Sequence, residues 1–291
     1  MFPEFVLHQR GNAAIWVDRN VADQAFIDRL ADVDEMIADA GCQIIKDQTK
    51  TKVGRLTVPI SGKRRSLYVK RFNSFSIRHK LVSAFMQSGA VRSLRGAALL
   101  REAHIPTIVP VAAVENRRRG ALSKSFFLSE EIAGAKTVDA YWREELAILT
   151  GGQAFTLRRQ FLARLAALFH SMHDRGIYHN DLKDANILVI GRQAGKTPQL
   201  CLLDLEGVRH YARLSAGRKI KNLVQINRTL GRYLRQAEKL FFLKCYLGAL
   251  FTDVSARRGL IRKVMKESRR VDEWRAKIAS VRTREIMGGH G

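Results

Sequence analysis

The order of apolar and polar positions gives the chain two parts of different character. Between residues 21 and 40, Phe26, Ile27, Leu30 and Val33 recur at helical spacing and predict a helix. Residues 54–59 and 66–72 read as two strands around the basic turn Ser61-Gly62-Lys63-Arg64. Val91, Leu94, Ala97, Ala98 and Leu99 predict a helix over 90–103, stopped before His104-Ile105-Pro106 as a proline requires. Val109–Val114 and Ala121–Leu128 form a second predicted hairpin, turned by residues 115–120, and Ser129–Gly134 reads as a connector. Beyond it the pattern becomes helical. Thr156 to Arg175 carries a broad apolar stripe of Phe161, Leu162, Leu165, Ala166, Leu168 and Phe169, closed by Gly176. Short strands at Ile187–Ile190 and Leu200–Leu203 flank the loop Gly191–Pro198, and residues 215–285 are helical and basic. The fold class expected is α+β, with a small antiparallel β-rich N-lobe over residues 1–130 and a larger α-helical C-lobe over 131–291, hinged near 130–135.

Composition narrows the partners. Lys and Arg number 51 against 27 Asp and Glu in 291 residues, a net charge of +24. A field of that sign favours nucleic acid, an anionic membrane surface or a phosphorylated substrate. The three cysteines, Cys42, Cys201 and Cys245, are scattered, so neither a disulfide framework nor a zinc ribbon is expected and a reducing cytoplasm is the simpler setting. The first residues lack a basic stretch followed by an apolar core, so no signal peptide is expected. Leu240–Phe251, the most apolar run, is interrupted by Lys244 and too short to span a bilayer, so membrane contact would be peripheral.

Candidate chemistry is concentrated in Tyr178-His179-Asn180-Asp181-Leu182-Lys183-Asp184-Ala185-Asn186-Ile187-Leu188. It follows a long helix and enters a strand, the context of a kinase catalytic loop. Phosphoryl transfer needs charge neutralisation, alignment and one carboxylate near the attacking hydroxyl. Asp181 would accept or orient the hydroxyl proton, Lys183 would balance charge on the transferring phosphate, Asn186 would hold a magnesium ion, and His179 would hold the loop. Asp204, ending the apolar run Leu202-Leu203, is the second expected magnesium ligand; Glu206 is either a further acidic ligand or a solvated turn residue. Lys70, in Tyr68-Val69-Lys70-Arg71-Phe72, is the expected contact to the ATP phosphates, with Arg71 and Lys63 as rivals. No Gly-x-Gly-x-x-Gly precedes it, only Thr49–Gly54, and Glu102 is a weak candidate for its acidic partner. His170 and His173 read as ordinary core or surface histidines, Arg117–Arg119 as a solvated hairpin tip, and the basic residues Arg257–Arg270 as a solvated or polyanion-contacting face.

These segments resemble the bacterial lipopolysaccharide core kinases, which act on Kdo or heptose sugars. The resemblance runs from about Val69 to Leu230, through Leu100-Arg101-Glu102-Ala103-His104-Ile105-Pro106-Thr107, the loop at 179–189, and Leu203-Asp204-Leu205-Glu206. Ser93 or a neighbour stands where that family often has a glutamate, and His104 where glycine is common. The resemblance implies a protein-kinase-like bilobal fold, ATP and magnesium (Mg²⁺) as cofactors, and a cytoplasmic enzyme peripheral on the inner membrane. The acceptor implied is a sugar hydroxyl of an anionic glycolipid, the lipopolysaccharide core or Kdo-lipid A. A protein kinase or small-molecule phosphotransferase of the same fold is the alternative, disfavoured by the absence of proline in residues 207–235. A non-catalytic polyanion-binding protein would fit the charge but leave Asp181, Asn186 and Asp204 unexplained, and no nucleic-acid motif is present.

Overall fold

A computed structural model describes residues 2–21, 23–73, 87–118, 121–191 and 198–288, with side chains to 280. Residues 119–120, at the tip expected for the second hairpin, and 192–197, in the loop expected after Ile190, lie outside the described residues. The chain forms two compact units, Met1–Ala135 with Cys201–Arg209, and Lys136–Leu200 with His210–Gly291.

The first unit is built on a seven-stranded antiparallel sheet. Its elements are β1 (Phe5–Arg10), β2 (Ala13–Asp18), α1 (Gln24–Arg29), α2 (Val33–Ala38), β3 (Gln43–Gln48), β4 (Thr51–Ile60), β5 (Lys63–Asn73), α3 (Gly89–Glu102), β6 (Pro110–Arg118) and β7 (Ala121–Glu130). The strand order is β1-β2-β6-β7-β5-β4-β3. The predicted helix over 21–40 is two short helices joined by a 3₁₀ turn at Leu30–Asp32, and Phe26, Ile27, Leu30 and Val33 are all buried as expected. They pack with Ile15, Val17, Leu56, Val58, Leu67, Val69, Phe126 and Leu128. Asp23 caps α1 by accepting the Phe26 N–H (2.8 Å) and also takes the Ser61 N–H (2.7 Å), which joins the helix start to the β4–β5 turn. These donors hold its carboxyl below the ordinary range.

Side-chain alternation decides where Lys70 points. Val69 lies in the core beneath α1 and α2, so Lys70 projects from the opposite face, paired across the ladder with Phe127. The β4–β5 turn is tighter than its basic residues suggested. Ser61 and Gly62 alone make it, both at positive φ (49° and 74°), while Lys63 and Arg64 are strand residues paired with Ile60 and Pro59.

Helix α3 ends in a left-handed cap. Ala103 is its last half-turn residue, His104 follows at φ 52°, the His104 N–H donates to Arg101 O (2.9 Å), and the Ile105 N–H to Leu100 O (2.8 Å). Left-handed backbone is most easily adopted by glycine, which accounts for glycine being common where His104 stands. The turn delivers Pro106 and Thr107 to the segment after Cys201. Leu202 N–H donates to Pro106 O (3.0 Å), and Leu202 O accepts from Thr107 Oγ1 (3.1 Å) and the Ile108 N–H (3.3 Å).

The second unit is mainly helical. It contains β8 (Lys136–Thr137), α4 (Val138–Tyr141), α5 (Gly151–Asp174), β9 (Ile177–His179), β10 (Ile187–Ile190), α6 (Ala216–Arg228), α7 (Gln236–Leu247) and α8 (Val254–Gly288). The apolar stripe of α5 is buried as its spacing predicts. Arg228, almost buried on α6, grips Asp272 of α8 through Nη2 (2.6 Å) and Nε (2.9 Å). His173 of α5 lies in the interior, 3% exposed. Its Nδ1 meets Tyr246 Oη of α7 at 2.8 Å and its Nε2 meets Asn222 Oδ1 of α6 at 3.2 Å. Because the Asn222 amide nitrogen donates elsewhere, its oxygen accepts from Nε2–H, leaving Nδ1 to accept from the tyrosine hydroxyl. The neutral imidazole satisfies both partners. Burial, opposed by the Asn222 hydrogen bond, brings its pKa down from 6.5 to about 4.

Two expectations follow. Replacing His104 with Gly should stabilise the protein by up to about 1 kcal/mol by relieving the left-handed penalty, whereas His104→Val should destabilise it; thermal unfolding of both variants decides. The unfolded chain protonates His173 near pH 6.5 but the folded chain only near 4. Its contribution is therefore complete above pH 6.5 and is lost as the pH falls from 6.5 to 4, on the order of 3 kcal/mol. Urea unfolding at pH 7.5 and pH 4.5 should show this loss, and His173→Gln should remove that component of the pH dependence.

Candidate active site

The loop after α5 is set by a glycine and held by amides. Gly176 sits at φ 68°, and a Cβ there would lie 2.0 Å from Tyr211 O, so no other residue fits. From α6, Asn222 Nδ2 donates to His179 O (2.6 Å) and Gln225 Nε2 to Asn180 O (2.5 Å). Gln225 Oε1 accepts the Leu182 N–H (3.0 Å). His179 is fully buried and its Nδ1 accepts the Asp181 N–H at 3.2 Å, the loop-holding contact expected of it.

The three candidate residues of this loop converge. Lys183 Nζ lies 2.6 Å from Asp181 Oδ2. Asn186 Nδ2 donates to Asp181 O (2.7 Å) and Asp181 Oδ2 (3.1 Å) from the 3₁₀ turn Asp184–Asn186. The Asp181 side chain is 48% exposed, so its carboxylate is oriented by the protein yet open to an incoming hydroxyl. Asn186 itself is buried; its nitrogen faces Asp181, so its amide oxygen is the end suited to a hard cation. Neighbouring Asp184 is also buried, which raises its carboxyl pKa.

The other two candidates meet in the first unit. Lys70 Nζ lies 2.5 Å from Asp204 Oδ1, 3.7 Å from Glu206 Oε1 and 4.7 Å from the centre of the Phe72 ring. Arg71 turns instead to Asp34 of α2 (2.9 Å), and Lys63 starts β5, so Lys70 alone of the three cations the sequence offered reaches these acids. Asp204 is left-handed (φ 56°, ψ 56°), a backbone state seldom used outside glycine and concentrated at functional positions. Helix α3 presses on the turn that follows. A Cβ on Gly96 would lie 2.1 Å from Leu205 O, and one on Gly89 would lie 2.6 Å from the Phe72 ring. Arg92 of α3 reaches Glu206 Oε2 at 3.2 Å. Glu206 is thus ion-paired, while Glu102 is exposed at the far end of α3, about 15 Å along the axis from Arg92, and Ser93 spends its hydroxyl on Gly89 O (2.9 Å).

Among the described residues no group of three His, Cys, Asp or Glu side chains makes a metal cage. The first unit offers the carboxylates of Asp204 and Glu206, and the second, separately, the amide of Asn186; each is a hard oxygen, the donor type that a cation such as magnesium takes one or two at a time together with phosphates and water. Thr49–Gly54, where a glycine-rich loop was sought, is the Thr49-Lys50 turn between β3 and β4 and the start of β4, with Lys50 and Lys52 in place of a glycine pattern. Asn222, Gln225 and Arg92 carried no sequence signal: each is far along the chain from the group it holds. Arg117, expected to be solvated, is half-buried and paired with the buried Glu115 (3.1 Å), which in turn accepts the Ser88 N–H at the start of α3 (3.2 Å).

A search of curated proteins finds no match. Among solved structures, one described as WaaP in complex with acyl carrier protein superposes with a TM-score of 0.63 at 19% identity, covering 86% of this chain and 98% of that one. At that identity the likeness speaks to the mixed fold of antiparallel sheet and helices. Residues 43–246 match the family described as "Lipopolysaccharide kinase (Kdo/WaaP) family". The chain belongs to that family and is accordingly a phosphotransferase acting on a sugar hydroxyl of lipopolysaccharide.

Proposed function

We propose that the chain transfers the γ-phosphate of ATP to a hydroxyl of a Kdo or heptose sugar in the lipopolysaccharide inner core, as a bilobal protein-kinase-like enzyme. Residues 1–130 supply the ATP-contacting Lys70, and 131–291 supply the catalytic and metal-binding loops. The observation that carries this is the Asp181 carboxylate, held within 3.1 Å by Lys183 and Asn186 and half open to solvent. Asp181 orients the sugar hydroxyl and takes its proton as the new O–P bond forms and the bond from the γ-phosphorus to the β,γ-bridging oxygen breaks, releasing ADP. Lys183, bonded to that carboxylate at 2.6 Å, offers its ammonium to the phosphoryl oxygens. Lys70 neutralises charge on the remaining phosphates, and Asn186 and Asp204 would hold magnesium, which when bound offsets charge on the β- and γ-phosphates. Eleven residues separate Asp204 from the first residue of α6, too few for a broad peptide-docking segment, which favours a sugar acceptor over a protein.

The acceptor is lipid-anchored, and no helix among the described residues is long and apolar enough to cross a membrane. Arg258, Arg262, Lys263, Lys266 and Arg269 are exposed along α8 with Met265 and Trp274. That mixture suits peripheral binding to the anionic inner-membrane surface. A second partner is favoured by a half-open cavity of about 320 Å³ in the second unit, lined by Leu165, Leu223, Leu230, Leu243, Ile261 and Met265. The WaaP structure contains acyl carrier protein, and we propose that an acyl group borne by such a carrier is taken up here.

Labelled ATP with magnesium should phosphorylate Kdo-lipid A or heptosylated core and leave a generic protein substrate unlabelled. Asp181→Asn should cut kcat by about 10²–10⁴-fold while ATP still binds; an Asp181→Asn enzyme as fast as wild type, or label on protein alone, would refute the assignment. Acylated carrier protein should co-elute with the chain and unacylated carrier should not, with Leu243→Trp abolishing co-elution. Equal retention of both forms would remove the acyl cavity as its seat.

A further inference from the structure

Kinase chemistry asks two things of the Lys70 region that compete. The ammonium must be held for the nucleotide phosphates, and the Asp204 carboxylate must be available to a cation. In the structure these groups are bonded to each other at 2.5 Å, so one has to be released when the other is used. A helix-borne carboxylate could receive the lysine, but α3 offers none. Ser93 is buried and bonded to its own helix, and Glu102 is remote.

We propose that Glu206 is the positioning carboxylate of Lys70, itself anchored by Arg92, so that α3 supplies the cation of the supporting pair and the turn after Asp204 supplies the acid. The assignment rests on the phosphotransfer function proposed above. Three observations carry it. Glu206 Oε1 lies 3.7 Å from Lys70 Nζ, just beyond a hydrogen bond, and is the next acid to receive the ammonium once Asp204 turns to a metal. Glu206 Oε2 is held by Arg92 Nη2 at 3.2 Å, and Arg92 Nη1 donates to Gln87 O at 2.7 Å, so the acid is braced by the protein itself. The carbonyl of Leu205 lies so close to α3 that Gly96 has no room for a Cβ, which locks the register of the turn against the helix. Two cations and two carboxylates, Lys70, Arg92, Asp204 and Glu206, balance one another. Neutralising Glu206 would confine Lys70 to Asp204 and set it against the metal.

The decisive measurement is the magnesium concentration that half-saturates binding of a fluorescent ADP analogue. Glu206→Gln, which keeps the shape, should raise it about tenfold, the loss expected for one charge-assisted hydrogen bond. Glu206→Asp should recover part of the loss. Arg92→Ala should shift the midpoint the same way but add nothing in the Glu206→Gln background, because both act through one pair. A second readout needs neither nucleotide nor turnover: the rate at which Lys70 is acylated at fixed pH in the metal-free protein. Asp204→Asn alone should leave Lys70 shielded by Glu206, whereas Asp204→Asn with Glu206→Gln should let it react like a surface lysine. An unchanged magnesium midpoint in Glu206→Gln, additive Arg92 and Glu206 effects, or full exposure of Lys70 in Asp204→Asn alone would overturn the assignment. Wild-type protein that fails to bind the analogue at any magnesium concentration would instead overturn the phosphotransfer function on which it rests.

Discussion

The ion pair between Lys70 and Asp204 joins residues 134 positions apart, and much of the first unit serves to keep those two groups in reach of each other. A partly exposed pair of this kind stabilises a fold only weakly, since solvation of the separated charges nearly matches their attraction. Its geometry therefore has to be imposed from outside. The sheet imposes one half by placing Val69 in the core and so turning Lys70 to the other face. Pro106, Thr107 and Ile108 impose the other half through their hydrogen bonds to Leu202, two residues before Asp204. The left-handed cap at His104 brings that stretch into line. Residues that resemble a family signature at 100–107 thus act on the acidic segment through the backbone of Leu202, by the main chain of Pro106 and the hydroxyl of Thr107.

The loop at 179–188 in the second unit is organised differently. Its backbone is gripped by Asn222 and Gln225, two neutral amides on one helix, and the helix is in turn referenced to α5 and α7 through neutral His173 and Tyr246. Lysine or arginine could have made the same contacts to loop carbonyls. An amide does it without adding a formal charge, and in Gln225 it also accepts the Leu182 N–H, which a lysine or arginine cannot do. The cation bonded to the Asp181 carboxylate comes from the loop itself, Lys183 at 2.6 Å.

What was legible in the sequence follows from how local each feature is. The loop at 179–188 could be read because its chemistry lies within ten residues, and α5 because its apolar stripe runs over several turns. The hairpin of β1 and β2 was not seen, although Ala13, Ile15 and Val17 alternate inward, because Ala14 and Trp16 between them are also apolar and blur the period of two. Strand β3 is exposed along its whole length and has no buried face to betray it; it exists because β4 offers it a ladder. The strands β6 and β7 were found as a hairpin of two segments, Val109–Val114 and Ala121–Leu128, that do not alternate, and the structure explains why: residues 110–115 and 125–129 are buried on both faces. The partnership of Glu206 with Arg92 spans 114 residues, and no spacing rule connects such positions. Only the missing helix glutamate hinted that some other acid had to stand near Lys70.

The path of the chain has a consequence for how the protein is made. Residues 201–209 belong to the first unit, but 65 residues of the second, 136–200, precede them. When Ala135 has left the ribosome, the sheet and α3 are in hand, yet the backbone groups of Pro106 and Ile108 that will meet Leu202 have no partner, and the carbonyl that fits against Gly96 has not been synthesised. The first unit to begin folding cannot be the first to finish. Its last piece arrives with the translation of Arg209, so Lys70 gains its acid only after Asp181, Lys183 and Asn186 have all been added to the chain.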